Sequence, residues 1–326
     1  RKRENTGDGY YLSLKAGCDL IDMEMVQFHP SGMLYPDEFA GTLVTEAVRG
    51  EGGILLNNKG ERFMVNYDSE RMELSTRDRV ALANYTEISE GRGTENGGVF
   101  LDISHKKKDF IINKLPKIYD QFLKYQSLDI SKFPMEVAPT AHYSMGGIEV
   151  NPIDHSTDIK GLYAAGEVAG GLHGANRLGG NSLAEILVFG KITGLAAAKY
   201  TFNLEKKPIS KIKINDAIEN IENKFLKSSG NILNLQNELK NIMWENCGVI
   251  RDKGKMMNGL DKINFLKKKL SHIKLLENDR NFQRLVSYFD MEFSLLAAEA
   301  SLKSAIFRKE SRGSHQRSDF KQIDES

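Results

Sequence analysis

The sequence predicts an α+β multidomain fold, with mixed α/β structure over the first two hundred residues and helices beyond. Three observations carry this. Of the 29 glycines only Gly230, Gly248, Gly254, Gly259 and Gly313 follow residue 204, so the turn-rich part ends there. Apolar stripes at i, i+3/i+4 spacing fill the later region. The earlier region instead alternates short apolar runs with glycine loops, one of which leads into a long helical pattern.

In chain order, Gly7-Asp8-Gly9 precedes a helical run from Tyr10 to Ala16. Residues 22–28 alternate like a strand, which His29-Pro30 is expected to end. Residues 32–134 read as irregular α+β. Residues 159–165 read as a buried strand, Gly166-Glu167 as a turn, and 181–198 as a helix with apolar Leu183, Ile186, Leu187 and Leu195. Four stripes then suggest an antiparallel bundle of about four helices. They are Ile214, Ile218, Ile221, Phe225; Ile232, Leu235, Leu239, Ile242; Met256, Leu260, Ile263, Leu266, Leu270; and Phe282, Leu285, Phe289, Phe293, Leu296.

The 326 residues and 36.6 kDa leave room for two or three domains. Forty-five Lys+Arg against 44 Asp+Glu give a net charge of +1, too balanced for general nucleic-acid binding. No apolar run approaches the roughly 20 residues of a membrane span. Cys18 and Cys247 form no CxxC, and the seven histidines make no ligand pair. A cysteine-based zinc site, an iron–sulfur cluster held by this chain and any other metal site are therefore not expected, and a reducing compartment is the default.

The densest polar cluster is HGANRLGGNSLAE at 173–185, where His173, Asn176 and Arg177 sit among glycines before a helix. Such a loop lets a ligand approach the backbone, and a helix start offers free N–H groups and positive partial charge. It also serves as a plain tight turn. Four further segments isolate charged groups: QFHP with His29; TEAVRGEGG with Thr45, Glu46 and Arg49; STRD with Arg77; PTAHYSMGG with His142. Singly, each has a bland reading, such as a structural histidine, a surface ion pair, or helix-face partners for Glu46 and Arg49.

Taken together, NTGDG (5–9), MEMVQFHPSG (23–32), LVTEAVRGEGG (43–53), GERFM (60–64), TRD (76–78), PTAHYSMGG (139–147), AAGEVAGGLHGANRLGGNSL (164–183) and KESRGSHQRSDF (309–320) resemble the flavoprotein subunits of succinate dehydrogenase and fumarate reductase, in that family's order. L-aspartate oxidase is the alternative relative, sharing several segments and compatible with LDISH at 101–105. The LGG form of the 174–182 loop is similar to the dehydrogenase/reductase group instead.

The resemblance implies the C-terminal part of an FAD-binding α/β (Rossmann-like) domain, an inserted α+β capping domain and a C-terminal helical bundle. The expected segments are 1–28 (tail of the first FAD-binding segment), 29–136 (capping domain), 137–203 (returning FAD-binding segment) and 204–326 (helical domain). The family's GxGxxG unit for the FAD pyrophosphate has no counterpart in this sequence. The chain is accordingly expected to lack an N-terminal portion and the extreme C-terminus, and an inactive fragment unable to hold FAD alone is a further reading.

The implied activity is succinate–fumarate interconversion by hydride transfer to or from FAD N5, in the tricarboxylic acid cycle and electron transport. By that resemblance Arg77 is the proton donor/acceptor, and Glu46 and Arg49 relay the proton. His142 and Arg177 take one substrate carboxylate, and His29 and Thr45 the other. Asp8, Glu167, Arg177, Ser182 and Leu183 contact FAD. The implied partners are an iron–sulfur subunit and a membrane-anchor subunit, with the protein in the cytoplasm, peripheral on the inner face of the membrane.

Overall fold

The structure, a computed structural model, describes residues 6–202, 204–205, 210–222, 232–273 and 283–325. Asn5, Phe225, Gly230 and Phe282, named above, lie outside them. The chain divides into two compact units, Val26–Tyr143, and Arg1–Met25 with Ser144–Ser326. Mixed helices and sheets confirm the α+β multidomain class.

In the Val26–Tyr143 unit, β1 (Leu20–Ile21) has already ended, and β2 (Val26–Met33), β3 (Ile54–Leu56), β4 (Val99–Asp102) and β5 (Met135–Ser144) form one sheet in the order β2-β5-β4-β3. Leu55 pairs with Leu101, and Leu101 in turn with Met135. The strand expected to stop at His29-Pro30 instead begins later and runs through both to Met33. β2 is the outermost named strand of this sheet, with residues 41–44 bonded along its outer side from Ser31 onward. The Pro30 carbonyl is used sideways, accepting from Asn84 Nδ2 at 2.9 Å. Asn84 belongs to α3 (Arg77–Glu87), which follows α2 (Ala47–Gly50) and precedes α4 (Lys108–Lys114) and α5 (Pro116–Gln126). Proline at the first position of α5 loses no intrahelical bond. The core comprises Met33, Val48, Leu55, Phe63, Val80, Leu101, Ile111, Phe122 and Val137 among others, each almost fully buried.

In the other unit, α1 (Asp8–Ala16) matches the expected helix, and β1 pairs antiparallel with β6 (Gly147–Ile148). Two glycines let β6 lie close to its neighbours on both sides. A Cβ on Gly146 would lie 1.9 Å from the Asp22 carbonyl oxygen, and one on Gly147 2.2 Å from that of Val168. The strand expected at 159–165 does not form. A turn at Gly161 interrupts it, leaving the isolated bridge Ser156↔Tyr163. Helix α6 (Asn181–Phe202) follows the glycine loop as expected, but Leu183, Ile186, Leu187 and Leu195 are all exposed, and its buried residues are Glu185 and Thr193.

The helical region departs from four equal helices. Helix α7 (Lys211–Glu222) carries Ile214, Ile218 and Ile221, all exposed, so this stripe contributes nothing to the core described. The core is built by three helices, α8 (Ile232–Cys247), α9 (Lys253–His272) and α10 (Gln283–Phe307). The α8 stripe is buried as expected, and so is that of α9 apart from half-buried Leu260. On α10 the buried face is Tyr288, Met291, Leu295, Ala298, Leu302 and Ala305, which sits beside the expected stripe. Leu285 and Phe289 flank it, while Phe293 turns to Tyr11 of α1 with ring centroids 4.5 Å apart. Apolar residues surround α10 on nearly every side, so spacing alone leaves its phase open. Finally, β7 (Ile250–Arg251) pairs in parallel with β8 (Gln316–Arg317).

Candidate active site

His29 and His142 occupy neighbouring strands, β2 and β5, with ring centroids 5.3 Å apart at 67°. His29 is 1% exposed, and its Nδ1 accepts the Ser31 N–H at 3.2 Å. The ring proton therefore sits on Nε2. Burial, then repulsion from His142, Arg77 and Arg49, pushes its pKa down to about 3. At neutral pH His29 is an uncharged hydrogen-bond donor. Residues 42–45 lie along β2 through Met33 N–H to Thr42 O and Val44 N–H to Ser31 O, both 2.9 Å. This lodges Thr45, whose Oγ1 accepts the Ala47 N–H at 3.4 Å, beside the His29 strand.

Arg77 opens α3 with its side chain 14% exposed. Its Nε donates to Glu46 Oε2 at 2.8 Å, and Nη1 is buried with no hydrogen-bond partner among the described residues. Glu46 is 46% exposed, so one carboxylate touches both the buried guanidinium and solvent. Arg49 Nη1 donates to the Glu73 carbonyl oxygen at 2.5 Å. Burial lowers the Arg49 pKa; Glu46 opposes this and Arg77 adds to it.

Two residues in this cluster were not anticipated as functional. Glu73, 3% exposed, is gripped by a fork from Arg62, with Nε to Oε1 at 2.9 Å and Nη2 to Oε2 at 2.6 Å, and accepts the Leu55 N–H at 3.1 Å. Burial would raise its pKa, but these donors hold it below the usual carboxylate range. Arg62 belongs to the GERFM segment, whose presence was the only signal in the sequence.

In the other unit, Arg177 is 3% exposed, with Nη1 donating to the Leu178 carbonyl oxygen at 3.2 Å. His173 Nε2 lies 2.9 Å from Glu185 Oε2, and both side chains are nearly inaccessible. Glu185, twelve residues along on α6, was the unforeseen partner. Ser182 and Leu183 form the first turn of α6. Glu167 Oε1 accepts the Ser144 N–H at 3.1 Å, while Tyr10 donates to the Glu167 carbonyl oxygen at 3.3 Å. Asp8 is exposed at the start of α1 and accepts from the Thr6 hydroxyl.

Acid sensitivity follows from the buried rings. His29 and His315 have folded pKa values near 3 and 4, against an ordinary 6.5, burial being the largest cause in each. Groups depressed this way stabilise the fold fully above pH 6.5 and lose that contribution as pH falls toward the folded values. Urea midpoints should fall from pH 7 to pH 4.5, and less steeply in a His315→Asn variant. Equal slopes would mean that His315 does not stay neutral on folding.

The comparisons define the class of protein, an FAD-binding flavoprotein. Residues 2–183 match the FAD binding domain family, and residues 236–326 match the fumarate reductase flavoprotein C-terminal family. The chain belongs to the flavoprotein family of fumarate reductases and succinate dehydrogenases. It is similar to a component of the fumarate reductase (CoM/CoB) of Methanothermobacter marburgensis, 47% identical across 96% of this chain and 57% of that one. It is also similar to the 8-methylmenaquinol:fumarate reductase flavoprotein subunit of Wolinella succinogenes, 39% identical across 98% of this chain and 53% of that one. A solved FrdA chain of E. coli quinol fumarate reductase superposes with a TM-score of 0.91 at 35% identity, covering 98% of this chain and 57% of that one. The chain thus spans a little over half the length of these relatives.

The cofactor of this family is FAD, and the residues present fit its ring. The first turn of α6 is accessible, and an added Cβ at Gly174 or Gly180 would meet nothing within 4 Å, so the approach to that helix start is open. A helix N-terminus beside a guanidinium suits an electron-rich ring edge.

Proposed function

We propose that the whole protein interconverts succinate and fumarate, and that the Val26–Tyr143 unit supplies the proton-handling half of the site. The observation that carries this is the Arg77–Glu46 contact. It joins a buried guanidinium with an unpartnered N–H to a half-exposed carboxylate, within a unit that also holds His29, Thr45, His142 and Arg49. The likeness to fumarate reductases supports this reading over L-aspartate oxidase.

Succinate and fumarate are dianions, so a closed site must replace the water around two carboxylates. His29 and Thr45 take one, His29 as a neutral Nε2–H donor. His142 and Arg177 take the other, Arg177 through its planar fork. FAD, when bound, supplies hydride chemistry at N5. Arg77 moves the accompanying proton: in fumarate reduction one alkene carbon gains hydride, its neighbour gains the Arg77 proton, and succinate results. Glu46 and Arg49 then return a proton to Arg77 from solvent. The carbon is strongly basic at that moment, so a weak acid suffices.

On the flavin side, Asp8, Glu167, Arg177, Ser182 and Leu183 would hold FAD, and the positive end of α6 would offset negative charge on the reduced ring. Electrons leave through an iron–sulfur subunit, with a membrane-anchor subunit holding the complex peripherally on the inner face of the membrane. Among the described residues no helix is long and apolar enough to cross a membrane, and no group of His, Cys, Asp and Glu could hold a metal ion.

His142→Ala in the full-length enzyme tests the carboxylate assignment. A lost hydrogen bond to a charged group is worth about 1.5–3 kcal/mol, so KM or an inhibitor constant should rise by roughly one to two decades. Unchanged affinity for malonate would show that His142 does not touch the substrate.

A further inference from the structure

The turn at residues 312–315 is well anchored. Arg312 N–H donates to His315 O at 2.8 Å and His315 N–H returns to Arg312 O at 3.0 Å, closing the turn. His315 is fully buried, and its Nδ1 lies 2.8 Å from Arg251 Nη1. Arginine can only donate, so Nδ1 accepts, and the ring proton on Nε2 points to Arg308 O at 3.4 Å. Arg251, 1% exposed, is itself held by Glu24 O at 2.7 Å and Gly248 O at 3.0 Å. Arg317 closes the other side through Ala305 O at 2.8 Å and Arg308 O at 3.0 Å.

The tip of this turn meets the loop that carries Arg177. Ser314 N–H donates to Ala175 O at 2.9 Å. Gly313 sits at φ +54, and a Cβ there would lie 2.4 Å from Ala175 O and 2.7 Å from Ala175 Cβ. The loop from Gly170 to Gly180 contains five glycines, so its own backbone restrains it weakly. The His173–Glu185 pair anchors it near its start.

We propose that Gly313 and Ser314 are positioning residues for Arg177: the 312–315 turn acts as a fixed stop against Ala175 and sets where the guanidinium is presented. The proposal rests on the reading of Arg177 as a carboxylate-binding group. A misplacement of an ångström at such a group is felt in binding and orientation of the substrate. The arrangement also gives the C-terminal ESRGSH segment a part in dicarboxylate recognition, without contact with the substrate.

The test is a double-mutant cycle in the full-length holoenzyme, read as malonate dissociation constant, KM for fumarate, kcat, flavin content and thermal midpoint. Gly313→Ala, which forces Ala175 aside, should raise the malonate constant and KM at least tenfold with flavin content unchanged. In an Arg177→Lys background the same substitution should add less than twofold, because its effect runs through Arg177. Ser314→Gly keeps the N–H but loosens the turn. It should raise the malonate constant about threefold, and it decides the matter if Gly313→Ala does not fold. A lowered thermal midpoint with unchanged malonate binding would reduce the turn to a structural role and overturn the proposal. So would full additivity with Arg177→Lys. If Arg177→Lys alone leaves dicarboxylate affinity intact, the reading of Arg177 itself fails, a distinct outcome.

Discussion

Arg77→Lys is expected to remove succinate oxidation and fumarate reduction together, while flavin content stays near that of the unmodified enzyme. The loss should reach roughly 10²–10⁴-fold, the range over which a positioned acid/base acts. Lysine keeps the charge but has no planar fork. Its donors all sit on one nitrogen, so it cannot hold Glu46 from one atom, as Nε does at 2.8 Å, while presenting a donor on a second, separately placed nitrogen, as Nη1 is. Glu46→Gln should depress the same rates, since it cuts the only half-exposed carboxylate contact described for Arg77. Turnover of Arg77→Lys within threefold of wild type, at equal flavin content, would remove Arg77 from the proton path.

The largest stability effect should come from Arg308→Ala. Arg308 Nε holds the Glu24 carboxylate, Nη2 donates to Asp22 Oδ1 at 2.9 Å, and Nη1 donates to Glu310 Oε1 at 2.8 Å. Glu24 is 1% exposed, and its Oε2 has no hydrogen-bond partner among the described residues. Removing Arg308 leaves that carboxylate buried without its ion-pair partner, with only the Ser304 hydroxyl and a backbone N–H to offset its charge. Breaking a buried pair this way costs about 3–5 kcal/mol; the low end applies, because the Arg308 side chain is 30% exposed.

The pH dependence has a definite sign. Burial alone would raise the Glu24 pKa, but hydrogen bonds from Arg308 first, then a backbone N–H and Ser304, outweigh it and the carboxyl titrates below its ordinary value. Glu310 is held near 2, chiefly by Arg312. Carboxylates lowered in this way stabilise the fold above the ordinary carboxylate value and lose that contribution as pH falls through the folded value. The gap between wild type and Arg308→Ala in urea midpoint should therefore be wide at pH 7 and narrower at pH 3. A wild-type midpoint at pH 7 would show that Glu24 finds another partner.

The sequence by itself determined whatever depends on neighbours a few residues apart or on an ordered set of motifs. The buried stripes of α8 and α9 could be read from spacing, because each helix buries one face against a single core. The start of α6 could be read from glycines running into an apolar helix, and the family from eight segments in order. The candidate site residues were named from those segments, and six of them, His29, Thr45, Glu46, Arg49, Arg77 and His142, lie in the Val26–Tyr143 unit.

Only the tertiary structure decided what depends on partners distant in the chain. Pro30 sits inside a strand whose sheet neighbour, β5, is distant in the chain, a fact of strand order that no local pattern records. The phase of α10 is set by two different neighbours, the α8–α9 core on one side and α1 on another, while its apolar residues circle the helix. His29 is uncharged because burial and three cationic or histidine neighbours surround it, although its residue type alone leaves both charge states open. Glu73 became visible only when Arg62, Leu55 and Arg49, from three separate segments, were found around it. Hydrophobic period is a local property of the chain, but hydrogen-bond satisfaction and desolvation are sums over whatever the fold brings near, so charge state and positioning appear only once the fold exists.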